Sequence, residues 1–200
     1  MDKMKKYHFI LKDFFDRLAA LLSLLWFWPV LLTIAILIKL NDKTNPVLFK
    51  QYRPGQYGEP FVIYKFRTMS NGEVTKLGEV LRKYKLDELP QLFNILKGDM
   101  WFCGPRPGLL DDYSYEDEKF KTTLNMKPGI TCLSTVKYRN EEYILNKNPE
   151  LEPNIKADKL NINYWYYYNY NIFMDIAALF DTVFKKLHFT DYFLKKYENN

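Results

Sequence analysis

Two adjacent carboxylates stand in the block Leu86-Asp87-Glu88-Leu89-Pro90-Gln91, and an arginine between prolines follows in Gly104-Pro105-Arg106-Pro107. Aspartate and glutamate serve nucleophilic and acid–base chemistry, while a guanidinium is a planar fork that matches a pair of phosphate oxygens. The combination describes a carboxylate nucleophile facing a phosphate clamp. Aspartate is also a favoured helix cap, and the helix dipole there keeps it ionised. Capping and catalysis therefore both stay open for Asp87, because the ionised state is also what a nucleophile or a magnesium ligand requires. Glu88 is either a solvated helix residue or a general base or second acidic group near a metal. The prolines around Arg106 fix its backbone, so the side chain is presented with little entropy left to lose. Hydrogen bonding to loop carbonyls is its plainer role. Tyr64-Lys65-Phe66-Arg67 alternates aromatic and basic residues, which in a strand shows Lys65 and Arg67 on one face. A solvated strand face is the plainer reading there.

These groups need elements to hold them. Short β-type runs, 46–51 and 61–66, flank Arg53-Pro54-Gly55 and Gly58-Glu59-Pro60, which predicts a β-hairpin with a long loop. Val74, Leu77, Val80, Leu81 and Tyr84 recur at helical spacing. A second helix is expected to start at Asp87, present Leu89, Leu92, Phe93 and Leu96 on one face, and end at Gly98 as a C′ glycine. The acidic segment 111–118 reads as a solvated helix face. Tyr164-Trp165-Tyr166-Tyr167-Tyr168-Asn169-Tyr170 suits a membrane interface, where one ring edge is apolar and the other wet. The stripe from Ile172 and Phe173 through Ile176, Phe180, Val183, Phe184 and Leu187, followed by Lys185 and Lys186, fits an interfacial helix. Packing onto the chain's own core is the alternative.

From Leu18 to Ile38 the chain carries no charge over 21 residues, enough for a helix to cross a bilayer core of about 30 Å. A secretory signal is the first alternative, but the run is long and no small-x-small cleavage site follows Ile38. Lys3, Lys5, Lys6, Lys12 and Arg17 precede it, and Lys39, Lys43, Lys50 and Arg53 follow it. Basic residues mark the cytoplasmic side, and here they flank both ends. Pro29 removes a helix hydrogen bond near the middle, and Ser23 is placed to help a freed carbonyl. The expectation is a helical hairpin, kinked at Pro29, that dips into one leaflet and returns. A single-pass anchor with a proline kink is the alternative.

The 200 residues suit one compact domain behind this segment. The expected division is 1–40, basic flank and membrane helix, and 41–200, a catalytic domain with a C-terminal interfacial helix. The expected class is helix-rich α+β, with a small β-hairpin and amphipathic interfacial helices. A net charge of +5 fits an anionic membrane surface or phosphorylated substrates and is too weak to imply nucleic acid. Zinc-finger spacing and RNA-recognition motifs are absent from the sequence. Cys103 and Cys132 lie far apart and read as reduced thiols, with one disulfide as the alternative. The two histidines, His8 and His188, stand near opposite ends, which argues against a histidine metal site or a Ser-His triad.

Several segments in order and spacing resemble the bacterial sugar transferase family, the small monotopic polyprenol-phosphate phosphoglycosyl transferases. They are Arg53-Pro54-Gly55, Tyr64-Lys65-Phe66-Arg67-Thr68-Met69, Leu86 through Asn94, Lys97-Gly98-Asp99-Met100, Gly104-Pro105-Arg106-Pro107, and Lys127-Pro128-Gly129-Ile130-Thr131. The resemblance implies transfer of a sugar 1-phosphate from a UDP-sugar to a membrane polyprenyl phosphate, undecaprenyl phosphate, with release of UMP. It implies that Asp87 attacks the β-phosphorus to form a covalent phosphosugar intermediate, with Glu88 assisting through proton handling or metal placement. Mg²⁺ is the implied cofactor, with Asp87 as its ligand. Family basic positions fall on Lys65, Arg82, Arg106 and Arg139, implied phosphate or nucleotide contacts. The implied location is the cytoplasmic face of the inner membrane, feeding downstream glycosyltransferases, with no nucleic-acid partner. Relatives commonly continue Pro-Gly-Ile-Thr with glycine, tryptophan and glutamine. Here Cys132, Leu133, Ser134 and Thr135 stand instead, a departure that bears on donor contacts. The competing function is a catalytically inactive membrane-bound scaffold that recruits glycosyltransferases.

Overall fold

The computed structural model describes residues 3–106, 108, 117–184 and 187–199. The fold is helix-rich α+β, with three two-stranded sheets among the described residues. Contacts divide the chain into two compact units, Met1–Arg53 with Pro60–Trp101, and Pro54–Glu59 with Phe102–Asn200.

The first unit opens with helix α1, Lys3–Asn41, which contains no glycine and runs unbroken through Pro29. A helical hairpin was expected, whereas the residues on both sides of Pro29 belong to one continuous helix. Proline there removes the hydrogen bond its N–H would give Leu25 without ending the helix. Thr33 Oγ1 donates to Pro29 O at 2.8 Å, a local bond one turn later. The helix is long and apolar enough to cross a membrane by length and composition. One face is buried towards each end, through Phe9, Lys12, Ala20 and Leu24 and again through Ile34 and Ile38, while 25–30 around Pro29 are exposed all round. These positions fall on one stripe at 3.6 residues per turn. The opposite face is exposed and apolar, including Phe14, Phe15, Leu22, Leu25 and Trp26.

At its start α1 turns its charges inward. Lys12 pairs with Asp16 at 3.3 Å and lies over the Trp101 ring, and Asp13 accepts from Trp101 Nε1 at 3.1 Å. Arg17 pairs with Asp13 at 2.9 Å. At its end Ile34 and Ile38 form a core with Phe66 and Leu81. Just beyond, Asp42 accepts from the Thr44 and Asn45 amides and from Ser70 Oγ at 2.7 Å. Both ends of α1 are thus tied by polar contacts to the same unit.

Strands β1, Leu48–Pro54, and β2, Pro60–Phe66, form the hairpin expected from the sequence. A short antiparallel pair follows, β3 (Met69–Ser70) and β4 (Glu73–Val74), with Met69 opposite Val74. Helix α2, Lys76–Lys83, is capped by Thr75, whose Oγ1 accepts from Gly78 N at 2.9 Å. Gly78 is required by close approach, since a Cβ there would lie 2.1 Å from Thr68 O. Helix α3, Gln91–Lys97, ends at Gly98 in the left-handed region with φ 89°, as the glycine predicted.

One buried side chain joins α3 to β2. Asn94 Oδ1 accepts from Tyr64 N at 3.0 Å, and Asn94 Nδ2 donates to Val62 O at 2.7 Å and to Asp99 Oδ2 at 3.2 Å. The carboxamide acts as a partner strand would, pairing an N–H and a C=O of β2 from within a helix.

The second unit begins with β5, Trp101–Cys103, whose first residue groups with the first unit, followed by α4, Glu118–Thr123, β6, Gly129–Thr131, and α5, Leu133–Lys137. Then come α6, Glu141–Lys147, α7, Glu152–Asn169, α8, Ile172–Val183, and α9, Asp191–Glu198. β5 pairs with β6, α7 lies against α4 and α5, and α5 meets α8. Asp117 caps α4, while 111–116 of the expected acidic face lie outside the described residues. Cys103 and Cys132 are free and buried.

The tyrosine-rich segment is largely core. Trp165, Tyr166 and Tyr167 are buried, and Tyr166 and Tyr170 donate to the Asp175 carboxylate while Cys103 Sγ donates to Asp175 O. Burial and the neighbouring Asp175 charge push the Tyr166 hydroxyl well above its ordinary pKa. Periodicity explains the difference from the interfacial expectation: consecutive aromatics in a helix point all round, so some must face inward. Tyr168 remains exposed. The following stripe does not fold inward. Ile172, Phe173, Ile176, Phe180, Val183, Phe184 and Leu187 are all exposed, Phe173 at 69% and Val183 at 68%. Lys185 and Lys186 lie outside the described residues.

Replacing Asn94 by alanine strands the Tyr64 N–H and the Val62 carbonyl inside the first unit. We expect a loss on the order of 3 kcal/mol, read as a lowered thermal midpoint of the detergent-solubilised chain.

Candidate functional site

Asp87 and Glu88 lie in a single 3₁₀ turn, Leu86–Glu88, between α2 and α3. Lys85 precedes it in the left-handed conformation with φ 58°, an uncommon state for a residue with a Cβ. That residue reverses the chain after α2 and sends both carboxylates inward, where Asp87 is 9% and Glu88 7% exposed. Leu89 and Pro90 continue in helical conformation into α3. Proline sits where its missing N–H costs nothing, as expected. The helix therefore begins with a 3₁₀ turn and not with Asp87 as its cap. The cap position of that turn belongs to Lys85.

Asp87 Oδ1 is buried and has no hydrogen-bond partner among the described residues. Burial raises the Asp87 pKa above its ordinary value of 3.8, and the Glu88 charge adds to this, while Lys65 and Lys85 oppose it. A capping aspartate has its oxygens occupied by backbone N–H groups, so this carboxylate is not held for capping. Glu88 is held by a strand: Lys65 Nζ meets Glu88 Oε1 at 3.0 Å. The Asn94 bonds to β2 fix the strand that carries Lys65 against the helix that follows the two carboxylates. Gln91, one turn after Asp87, is 1% exposed, and its Nε2 is likewise buried without a partner. Sequence reasoning placed Gln91 and Asn94 in the motif but assigned neither a role. Their signal, an amide at a helical position within an apolar face, reads equally well as surface polarity.

The remaining basic residues divide. Arg82 is exposed at the end of α2, its Nε donating to Thr68 Oγ1 at 2.9 Å. A strand was expected to show Lys65 and Arg67 on one face, but β2 ends at Phe66, and Arg67, just beyond it, donates to Pro46 O. Lys65, Arg82, Asp87 and Glu88 all belong to the first unit.

Arg106 and Arg139 belong to the second unit. Gly104 N donates to Thr131 O and Gly129 N to Pro105 O, both at 3.0 Å, which lays the Lys127–Thr131 motif along the Gly104–Arg106 motif. Glycine is needed on both chains, since a Cβ on Gly129 would lie 2.1 Å from Gly104 N. Arg106 Nη1 donates to Ile130 O at 3.1 Å, the loop-carbonyl bond that was its plainer role. It also lines a pocket with Pro54, Gly55, Phe120, Pro128 and Asn163. Three separate sequence motifs thus meet at one concavity. Ser134, in the segment that departs from the family pattern, donates to Asn163 Oδ1 at 2.9 Å, and Cys132 Sγ lies 3.0 Å from both Ser134 Oγ and Thr135 Oγ1. The departure therefore touches the pocket through Asn163. Arg139 is exposed, bonds Val136 O at 3.2 Å, and contributes to keeping the buried Asp181 carboxyl below its ordinary pKa, after the Thr190 and Phe189 hydrogen bonds.

A family model described as bacterial sugar transferase matches residues 7–189. The chain belongs to that family. The sugar transferase is 37% identical over 191 residues to the uncharacterized sugar transferase EpsL of Bacillus subtilis (strain 168), covering 89% of this chain and 88% of that protein. It is 36% identical over 194 residues to a UDP-glucose:undecaprenyl-phosphate glucose-1-phosphate transferase of Klebsiella pneumoniae, covering 88% of this chain. It is 34% identical over 194 residues to a UDP-N-acetylgalactosamine-undecaprenyl-phosphate N-acetylgalactosaminephosphotransferase of Aeromonas hydrophila, again over 88% of this chain. The chain spans 40% and 43% of the length of those two relatives. The matched stretch of the sugar transferase contains all of α1 from Tyr7, the Asp87–Glu88 turn and the Arg106 pocket.

A raised folded-state pKa means that the folded form binds the Asp87 proton more tightly than the unfolded chain does. The associated stability is present below 3.8 and is lost as pH rises through the folded value. Asp87→Asn should therefore raise the unfolding midpoint at neutral pH and give no gain near pH 3, measured by thermal melts across that range.

Proposed function

We propose that the chain transfers a sugar 1-phosphate from a UDP-sugar to undecaprenyl phosphate at the cytoplasmic face of the cytoplasmic membrane, releasing UMP. The observation that carries this reading is the buried Asp87 carboxylate with an unpartnered oxygen beside a lysine-held Glu88. A carboxylate oxygen buried without a hydrogen bond costs stability, a cost characteristic of reacting sites. The relatives from Klebsiella and Aeromonas, named for transfers of this type, support the substrate classes.

In the proposed course Asp87 attacks the β-phosphorus of the UDP-sugar. The new carboxylate–phosphorus bond forms as the bond to the bridging oxygen breaks, and UMP departs with the electron pair. A phosphate oxygen of undecaprenyl phosphate then attacks the same phosphorus and displaces Asp87. Two steps let one substrate phosphate at a time align with the reacting centre. Glu88 assists by handling the proton of the attacking or leaving group, and Lys65 holds it in place. Burial keeps the Asp87 oxygens poorly solvated, which strengthens a carboxylate as a nucleophile. Arg82, Arg106 and Arg139 are assigned to phosphate or nucleotide contacts, and the Arg106 pocket, with its apolar walls and one guanidinium, has the character of a nucleotide subsite.

Mg²⁺ binds through one or two carboxylates together with substrate phosphates, and the buried Asp87 Oδ1, without a hydrogen-bond partner among the described residues, suits that role. Asp87 is the residue that would hold it, and the ion would neutralise diphosphate charge.

Membrane attachment follows from α1. A helix crossing the bilayer would put its two ends on opposite sides of about 30 Å of hydrocarbon. Asp13 with Trp101 and Asp42 with Ser70 tie both ends to one unit, which supports a helix that enters and leaves the same leaflet. The exposed stripe of α8 fits an interfacial helix, and the lipid product would pass to downstream glycosyltransferases.

Asp87→Asn should abolish UMP release from UDP-sugar with undecaprenyl phosphate, screened over a panel of UDP-sugars. Undiminished turnover in that variant would end the proposal. Cysteines placed at His8 and at Lys43 should label from the same side of sealed vesicles, whereas opposite-side labelling would mean that α1 spans.

A further inference from the structure

Among the described residues, two buried polar atoms of the first unit lack hydrogen-bond partners and lie about one turn apart in the chain, Asp87 Oδ1 and Gln91 Nε2. One is an acceptor and the other a donor. Between them Leu89 has φ −53° and ψ −36°, Pro90 has φ −62° and ψ −15°, and Leu92 N donates to Leu89 O, so positions 87 and 91 lie little more than one tight turn apart as the 3₁₀ turn passes into α3. A glutamine amide offers the donor and a carboxylate oxygen the acceptor of such a local pair. Neither atom is open to solvent, so neither is the first to meet a substrate arriving from outside. A buried donor with nothing to donate to is a cost that an apolar residue of the same volume would avoid. A glutamine at a position 1% exposed calls for an acceptor, and the carboxylate one turn back is an orphan of the complementary kind.

We infer that Gln91 is the positioning residue of Asp87: its Nε2 donates to Asp87 Oδ1 in the reacting state and leaves Oδ2 as the oxygen that attacks phosphorus. Gln91 carries no proton in this role. It fixes the plane of the carboxylate, so that one lone pair of Oδ2 points along the line of attack. Asn94, one turn nearer β2, anchors α3 and so holds Gln91 in register with Asp87. Lys65 serves Glu88 in the same manner, so each carboxylate of the pair has its own holder, a cation for Glu88 and a neutral amide for Asp87. This inference rests on the phosphosugar-transfer reading above.

The test uses the full chain with Gln91→Met, which keeps the volume and loses the donor, and Gln91→Glu, which replaces the donor by an acceptor. Steady-state UMP release and thermal melts are measured for each. Gln91→Met should lower kcat by about 30- to 100-fold with KM for the UDP-sugar within about threefold, since misorientation of a reacting group acts on turnover. Its unfolding midpoint should equal or exceed that of the parent chain. Gln91→Glu should be slower still, because a second carboxylate faces the nucleophile. A kcat for Gln91→Met equal to the parent's overturns the inference, as does a loss of kcat matched by a fall in melting midpoint, which marks a structural hydrogen bond. Absence of UMP release by the parent chain on every UDP-sugar overturns both this inference and the functional reading. Parent activity with a silent Gln91→Met overturns this inference alone.

Discussion

The first unit depends on one buried carboxamide. Asn94 joins α3 to β2 by satisfying a strand N–H and a strand C=O from a helix, and these two elements flank the two adjacent carboxylates. β2 brings Lys65 and α3 continues the turn that holds Asp87 and Glu88. Backbone groups at the edge of a two-stranded sheet would otherwise face an apolar core with nothing to bond. A neutral amide solves this better than a charged group, since it offers both a donor and an acceptor without adding another charge near two carboxylates. Lys65 and Glu88 can then meet at 3.0 Å because their elements are already docked.

Around that joint, polarity is arranged by depth. α1 keeps its charges, Lys12, Asp13, Asp16 and Arg17, on or beside the face that meets the unit, and shows apolar side chains on the other. A water-soluble helix does the reverse. Such inversion is stable only where the outer medium is itself apolar, so the helix selects its environment as much as it anchors the unit. In the second unit, α8 similarly leaves an apolar stripe uncovered, while the tyrosines before it turn their hydroxyls onto Asp175.

The second unit is built from motif on motif. Gly104 and Gly129 permit two backbones to approach without side chains between them, and Pro54, Pro105 and Pro128 stiffen the walls of the pocket that Arg106 enters. Proline and glycine have opposite uses here. One limits where the chain can go, and the other lets it go where no Cβ fits. The departure at Cys132, Ser134 and Thr135 forms its own small polar cluster and reaches the pocket only through Asn163.

Much of this was legible from residue order. The apolar run of α1, the hairpin around Arg53-Pro54-Gly55 and the end of α3 at Gly98 follow from periodicity and turn chemistry, which are local properties, and the pairing of Asp87 with Glu88 is written in adjacent positions. The proposed cap at Asp87 was local as well, and it failed because Lys85 adopts a left-handed conformation that no propensity announces. The tyrosine-rich run read as surface because composition carries no information about which ring faces inward. Only the tertiary structure decided which polar atoms keep partners. Asn94 bonds a strand more than thirty positions earlier in part, at Val62, while Asp87 Oδ1 and Gln91 Nε2 have none among the described residues. Hydrogen-bond satisfaction is a property of neighbours distant in sequence, so the chain declares its chemical groups, and packing determines which of them remain available to react.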